Sequence, residues 1–135
     1  MQGANWYEDL IHQNLEVAVC KKNELKEKLQ EFSGNLNLKE DVLIIQSCKT
    51  KYKIYHTQKD MEGENVSIQL SPALRFRLEL DIFDFEQEML KIDQAVLQYP
   101  FDVLTEPFCQ VQYMNLSDDF LILDVYVGMK EREKS

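Results

Sequence analysis

The fold of this chain is decided by residues 74–82, which carry the sequence LRFRLELDI. Apolar residues occupy every even position of the stretch and charged residues every odd position. A period of two places the apolar side chains on one face of a β-strand and the charged ones on the other. The stretch therefore predicts a half-buried strand whose exposed face carries Arg75, Arg77, Glu79 and Asp81.

A helix is predicted directly after this strand. Asp84, with Gln87 three positions later, resembles a capping box. The apolar residues that follow recur at helical spacing and are Phe85, Met89, Ile92 and Val96. The helix should end before Pro100, and two further strands, near residues 109–113 and 121–127, should follow it.

Three strands are predicted before residue 74. Residues 42–48 and 52–56 have the composition of a β-hairpin, and residues 66–70 form a short apolar run that Pro72 ends. Together with the strand at 74–82 and the two later ones, they predict a sheet of about six strands.

The N-terminal residues 5–33 predict one long helix, because apolar residues recur at alternating steps of four and three. These residues are Ile11, Leu15, Ala18, Leu25, Leu29 and Phe32. A helix of this length spans about 43 Å, which is longer than one face of so small a domain. Part of residues 1–34 could then project, so that Leu25, Leu29 and Phe32 pair with another helix as in a coiled coil. The alternative, that the helix packs entirely on its own sheet, stays open.

The predicted fold class is therefore α+β. It consists of a long N-terminal helix, a mostly antiparallel sheet of about six strands, and a second helix between strands four and five. The 135 residues suit a single domain, residues 1–135, with a charged tail at 128–135. The order of elements is loosely similar to that of small acidic type III secretion chaperones, a similarity of element order that no motif carries.

The charge of the chain is concentrated in its second half. The net charge is −9, and residues 58–127 alone hold 4 basic and 14 acidic residues, a net charge of −10. Such a field repels nucleic acid and anionic lipid and steers a basic protein partner toward the surface. Neither a nucleic acid nor a membrane is expected as a partner.

The expected location is intracellular and cytoplasmic. The longest apolar runs are four residues, such as 42–45, whereas a membrane span needs roughly 20. Cys20, Cys48 and Cys109 are an odd number of widely separated cysteines. This pattern is typical of free thiols in a reducing compartment.

The common catalytic motifs are missing from the sequence. It has no phosphate-binding glycine loop, no Cys-x-x-Cys and no Gly-x-Ser-x-Gly. No cofactor and no metal is expected, and the chain is predicted not to be an enzyme. The alternative is a small enzyme without a local motif, in which His56, Tyr52 and a carboxylate converge in three dimensions.

The predicted function is that of a non-catalytic protein-binding module. Such a module could be a small acidic adaptor, an assembly partner, an inhibitor or immunity protein, or a chaperone-like protein. Arg75 and Arg77 could clamp a partner's carboxylates while Glu79 and Asp81 receive its lysines. A homodimer through the first helix is a further expectation. In the remaining alternative, the chain is a structural subunit that the N-terminal heptad helix tethers to a larger assembly.

Overall fold

The computed structural model describes residues 6–7, 9–57, 65–103 and 105–131. Within these residues the chain forms a nine-stranded sheet and two short helices. The strands are β1 (Trp6–Tyr7), β2 (Leu10–Lys21), β3 (Leu43–Ser47), β4 (Lys51–Thr57), β5 (Val66–Leu70), β6 (Ala73–Asp81), β7 (Phe101–Val103), β8 (Phe108–Asn115) and β9 (Phe120–Glu131). The helices are α1 (Leu25–Ser33) and α2 (Phe85–Val96).

The sheet is antiparallel in every pairing between described strands. Its main path runs β1-β6-β9-β8-β3-β4-β2-β5, and β7 pairs with the end of β9. β1 pairs with β6, whereas β2, which begins three residues after β1, pairs with β4 and β5 near the other end of the path. The N-terminal segment therefore links both ends of the sheet, which curls into a half-barrel.

The sheet curls toward the face opposite the helices. The His12 Nε2 atom on β2 lies 3.4 Å from the Gln110 Oε1 atom on β8, although β3 and β4 lie between these strands in the sheet order. A second apolar cluster joins Leu10 of β2 and Ile68 of β5 to Tyr126 of β9. Contacts between strands so far apart in the order require strong curvature. We call this concave side the inner face.

Both helices pack on the other face of the sheet, over the main hydrophobic core. The sheet contributes the even positions of β6, from Leu74 to Leu80, and the odd positions of β9. The inner side chains of α2 are Phe85, Met89, Ile92 and Val96, all of them buried. The predictions of a strand at 74–82 and of a helix with this inner face are confirmed, as is the hairpin that β3 and β4 form.

The predicted N-terminal helix is wrong. Residues 10–21 form strand β2, and helix begins only at Leu25 after a single 3₁₀ turn. The β-branched residues Val17 and Val19 favour a strand. Asn14, with φ at +58°, shifts the pairing register of β2 between His12 and Leu15. Leu15 belongs to the inner-face cluster whereas Ala18 packs against the main core, so the step of three between them joins opposite faces of the strand and only imitates a helical spacing.

The predicted α+β fold class and the coiled coil are wrong for the same reason. Nine described strands replace the expected six, because β1, β2 and β7 were missed, and α1 has only nine residues. The likeness to type III secretion chaperones, which depended on the element order, is lost with the long helix. Residues 128–131 of the expected tail belong to β9. Residues 132–135, like 1–5 and 8 of the predicted helix, lie outside the described residues.

Candidate functional site

The predicted helix seam lies inside the molecule. Leu25 and Leu29 of α1 are buried in the main core beneath the helices. Phe32 is half-buried, and its ring centroid lies 4.6 Å from that of His56. These three side chains therefore hold α1 on its own sheet, and a homodimer through the seam loses its structural basis.

The predicted sheet-face residues are split between two roles. Arg75 and Arg77 lie on the inner face, and both reach Asp124 of β9, whose side chain is only 3% exposed. The Arg77 Nη2 atom donates to Asp124 Oδ2 at 3.2 Å, and Arg77 Nε also contacts this carboxylate. Glu79 is exposed, and Asp81 accepts a hydrogen bond from the backbone N–H of Phe83.

Asp124 is a site residue that the sequence reasoning missed. It stands directly opposite Arg77 in the pairing of β6 with β9. A buried carboxylate requires a paired cation, and the two arginines meet this requirement. The three side chains border a cavity of about 470 Å³ that His12 and Gln110 also line. The cross-strand partner of Arg77 can be identified only once the register is known.

A second polar cluster ties the start of α2 to the β3–β4 end of the sheet. Lys22 Nζ donates to Glu86 Oε1 and to Ser47 Oγ, both at 2.5 Å, and lies 4.3 Å from the Tyr52 ring centroid. The Ser47 hydroxyl donates to Glu86 Oε1 at 3.0 Å. Burial alone would raise the pKa of Glu86, but hydrogen bonds from Lys22, Tyr52 and Ser47 lower it below the usual 4.5. Burial and the Glu86 carboxylate raise the pKa of Tyr52.

This lowered pKa makes the contribution of Glu86 to stability depend on pH. Ionised Glu86 stabilises the folded state at pH values above the pKa of the unfolded chain, and this stabilisation is lost as the pH falls through the folded-state pKa. Glu86→Gln should therefore cost about 0.5–1 kcal/mol of unfolding free energy at neutral pH, and this cost should shrink as the pH falls below the usual glutamate pKa of about 4.3. Urea denaturation of both proteins across this range measures the difference. A cost that does not change with pH would show that the charge of Glu86 is not what stabilises the fold.

The outer surface of α2 carries an exposed apolar row, which we call the α2 stripe. It consists of Phe83 (73% exposed), Leu90 (61%) and Leu97 (71%). Phe83 lies in the 3₁₀ turn before α2, and Leu97 is the C-cap residue. Leu90 and Leu97 are seven positions apart at the end of the helix and therefore lie nearly in line, about 10 Å apart. The sequence alone could have shown these exposed residues, because all three are apolar, recur at a spacing of seven and fall outside the predicted buried face of the helix.

Two cavities lie beside the α2 stripe. Leu90 lines one of about 530 Å³, and Phe83 lines a smaller one of about 140 Å³. Lys22 and Glu86, which form an ion pair, line both cavities and stand between them, so the two depressions are neighbours. A surface that combines exposed apolar side chains with an adjacent depression is typical of a protein interaction site.

The larger cavity holds two carboxylates, Asp93 and Glu106, neither of which forms an ion pair with a described residue. Burial, together with the charges of Glu106 and Glu86, raises the pKa of Asp93. Lys49 also lines the cavity. A cation placed between these carboxylates would lower the pKa of Asp93 again.

The alternative catalytic residue, His56, is a packed histidine. Its ring contacts Phe32, its Nδ1 atom lies 3.2 Å from the Thr57 carbonyl oxygen, and its Nε2 atom lies 3.8 Å from Glu16 Oε2. Among the described residues, no group of three His, Cys, Asp or Glu side chains is arranged to hold a metal ion. No helix in the described part of the chain is both long and apolar enough to cross a bilayer.

The fold defines a small antiparallel half-barrel protein with two helices on one face of its sheet, and exposed apolar residues lie on the second helix and in the turn before it. The chain belongs to DUF5975, a family of unknown function whose model matches residues 1–129. No curated protein matches the chain.

Proposed function

We propose that this protein is a non-catalytic binding module that recognises another protein through the α2 stripe. The single observation that carries the proposal is that Phe83, Leu90 and Leu97, on α2 and the turn that precedes it, are each more than half exposed. Large apolar side chains grouped in this way lower the free energy of association when a partner covers them. Isolated exposed apolar residues need no such explanation.

The depression beside the stripe supports the same function. Leu90 and Met89 provide apolar walls, while Asp93 and Glu106 provide charge at the rim. Interfaces with an apolar centre and a polar rim have this composition. The predicted binding role of Arg75, Arg77, Glu79 and Asp81 stays a prediction, since Asp124 already engages both arginines.

An intracellular location is part of this proposal. Cys20, Cys48 and Cys109 are all free thiols, and Cys20 and Cys109 are buried. Free cysteines suit a reducing compartment. The tethered-subunit alternative has lost its heptad helix, and the packed environment of His56 gives the enzyme alternative no support.

The test is capture of a partner by matched variants. The native protein, immobilised and exposed to extract from its source cells, should capture a specific protein that the double variant Leu90→Gln, Leu97→Gln no longer captures. In binding measurements with the purified pair, the double variant should lose at least about tenfold in affinity, because two large side chains lose their buried area. Glutamine favours helix, so α2 should stay folded.

The control is the double variant Ile11→Gln, Val19→Gln, which changes two exposed apolar residues of β2. It should capture the partner as the native protein does. Equal capture by the double variant Leu90→Gln, Leu97→Gln, which we call the stripe variant, would show that the α2 stripe is not the binding surface. Failure of the native protein to retain any protein that the stripe variant loses would also contradict the proposal.

A further inference from the structure

The α2 stripe has the geometry of one half of a helix pair. Leu90 and Leu97 are seven positions apart at the end of α2, Phe83 lies seven positions before Leu90 in the preceding 3₁₀ turn, and between the three lie the neutral Gln87 and Gln94. Two helices that pack side by side place apolar residues in such a seam. An extended peptide, whose side chains alternate every two residues, would match this spacing poorly.

The charges of the α2 segment disfavour a second copy of the chain and favour a basic partner. Residues 81–97 contain five acidic residues and one basic residue, a net charge of −4. Two copies packed stripe against stripe would bring like charges together, which is unfavourable at an interface. A helix with lysines or arginines beside its apolar seam would instead be attracted to this surface.

The cavity beside Leu90 offers a place for one of these cations. Asp93 and Glu106 both line it, and neither has an ion-pair partner among the described residues. The neighbouring Glu86 already has Lys22. A lysine or arginine stem could lie against the apolar walls that Met89 and Pro107 provide while its charged end reaches the two carboxylates.

We infer that the α2 stripe docks a basic amphipathic helix of a partner protein. The partner's apolar side chains cover Phe83, Leu90 and Leu97, and one of its cationic side chains enters the cavity between Asp93 and Glu106. This inference rests on the proposed function and adds the chemistry of the partner to it.

The probe for this inference is a fluorescent 18-residue peptide with leucine at the two core positions of each heptad and lysine elsewhere. Its binding to the full chain is followed by fluorescence anisotropy in about 0.15 M salt, where surface charges are largely screened. The native protein and the control variant Ile11→Gln, Val19→Gln should bind it equally. Leu90→Gln, Leu97→Gln should weaken binding at least about tenfold.

A second pair of variants tests the charged part of the inference. Asp93→Asn, Glu106→Gln should weaken binding about threefold to tenfold and reduce its dependence on salt. A matched peptide with glutamate in place of lysine should not bind. Circular dichroism and urea denaturation show that each variant keeps its fold, which is expected because the changed side chains lie at the surface or line the open cavity.

Either of two results would overturn the inference: equal binding of the lysine peptide to the native protein and the stripe variant, or equal binding of the lysine and glutamate peptides to the native protein. If the native chain captures a cellular partner through the stripe but does not bind the lysine peptide, the proposed function stands and the basic-helix inference fails. If the stripe variant retains the cellular partner, the proposed function itself fails.

Discussion

Leu29→Asp is expected to leave the protein largely unfolded at 25 °C. Leu29 is fully buried between α1 and the sheet. Removing its side chain costs about 2–5 kcal/mol, and burying a carboxylate in its place costs several kcal/mol more. The sum is comparable with the total stability of a small domain, about 5–15 kcal/mol. Circular dichroism and size exclusion with light scattering measure the loss of fold and the state of association.

The neighbouring substitution Gln30→Asp is the control for this result. Gln30 is exposed on the same helix, so its replacement should change the unfolding free energy by about 0.5 kcal/mol or less. A Leu29→Asp protein that stays folded, and only separates from a dimer into monomers, would contradict the placement of Leu29 in the core. It would favour instead the intermolecular seam that the heptad spacing predicted.

Phe76→Ala is expected to lower the unfolding free energy by about 3–5 kcal/mol. Phe76 is a fully buried residue of β6, in the middle of the core beneath the helices. The substitution removes an aromatic side chain and leaves a cavity that the surrounding strands can only partly fill. Urea denaturation measures the change as a lower midpoint, with little change in the slope of the transition.

The same substitution at Phe83 is the matched control. Phe83 is 73% exposed, so Phe83→Ala should cost about 0.5 kcal/mol or less while removing one residue of the α2 stripe. Similar losses of stability at Phe76 and Phe83 would contradict the division of the two phenylalanines between core and surface. Loss of partner binding at Phe83 with unchanged stability would agree with the proposed function.

The candidate site was only partly accessible to sequence reasoning. Leu90 and Leu97 could have been identified, since they fall outside the buried positions of a helix that was correctly predicted. Asp93 and Glu106, by contrast, are thirteen residues apart and come together only where the turn before β8 packs beside α2. The sequence could not identify Asp124 either, because no local pattern shows which strand pairs with the strand of Arg77.

The sequence by itself determined the elements whose side-chain period is uninterrupted. The strict alternation of β6 and the helical spacing of α2 each match one secondary structure and no other, so local sequence was sufficient for both. Only the tertiary structure decided that residues 10–21 form a strand and not a helix. There the bulge at Asn14 interrupts the period, and pairing with β4 and β5 satisfies the backbone hydrogen bonds that a helix would otherwise have formed internally. The curl of the sheet follows from these same long-range pairings, which no local sequence pattern encodes.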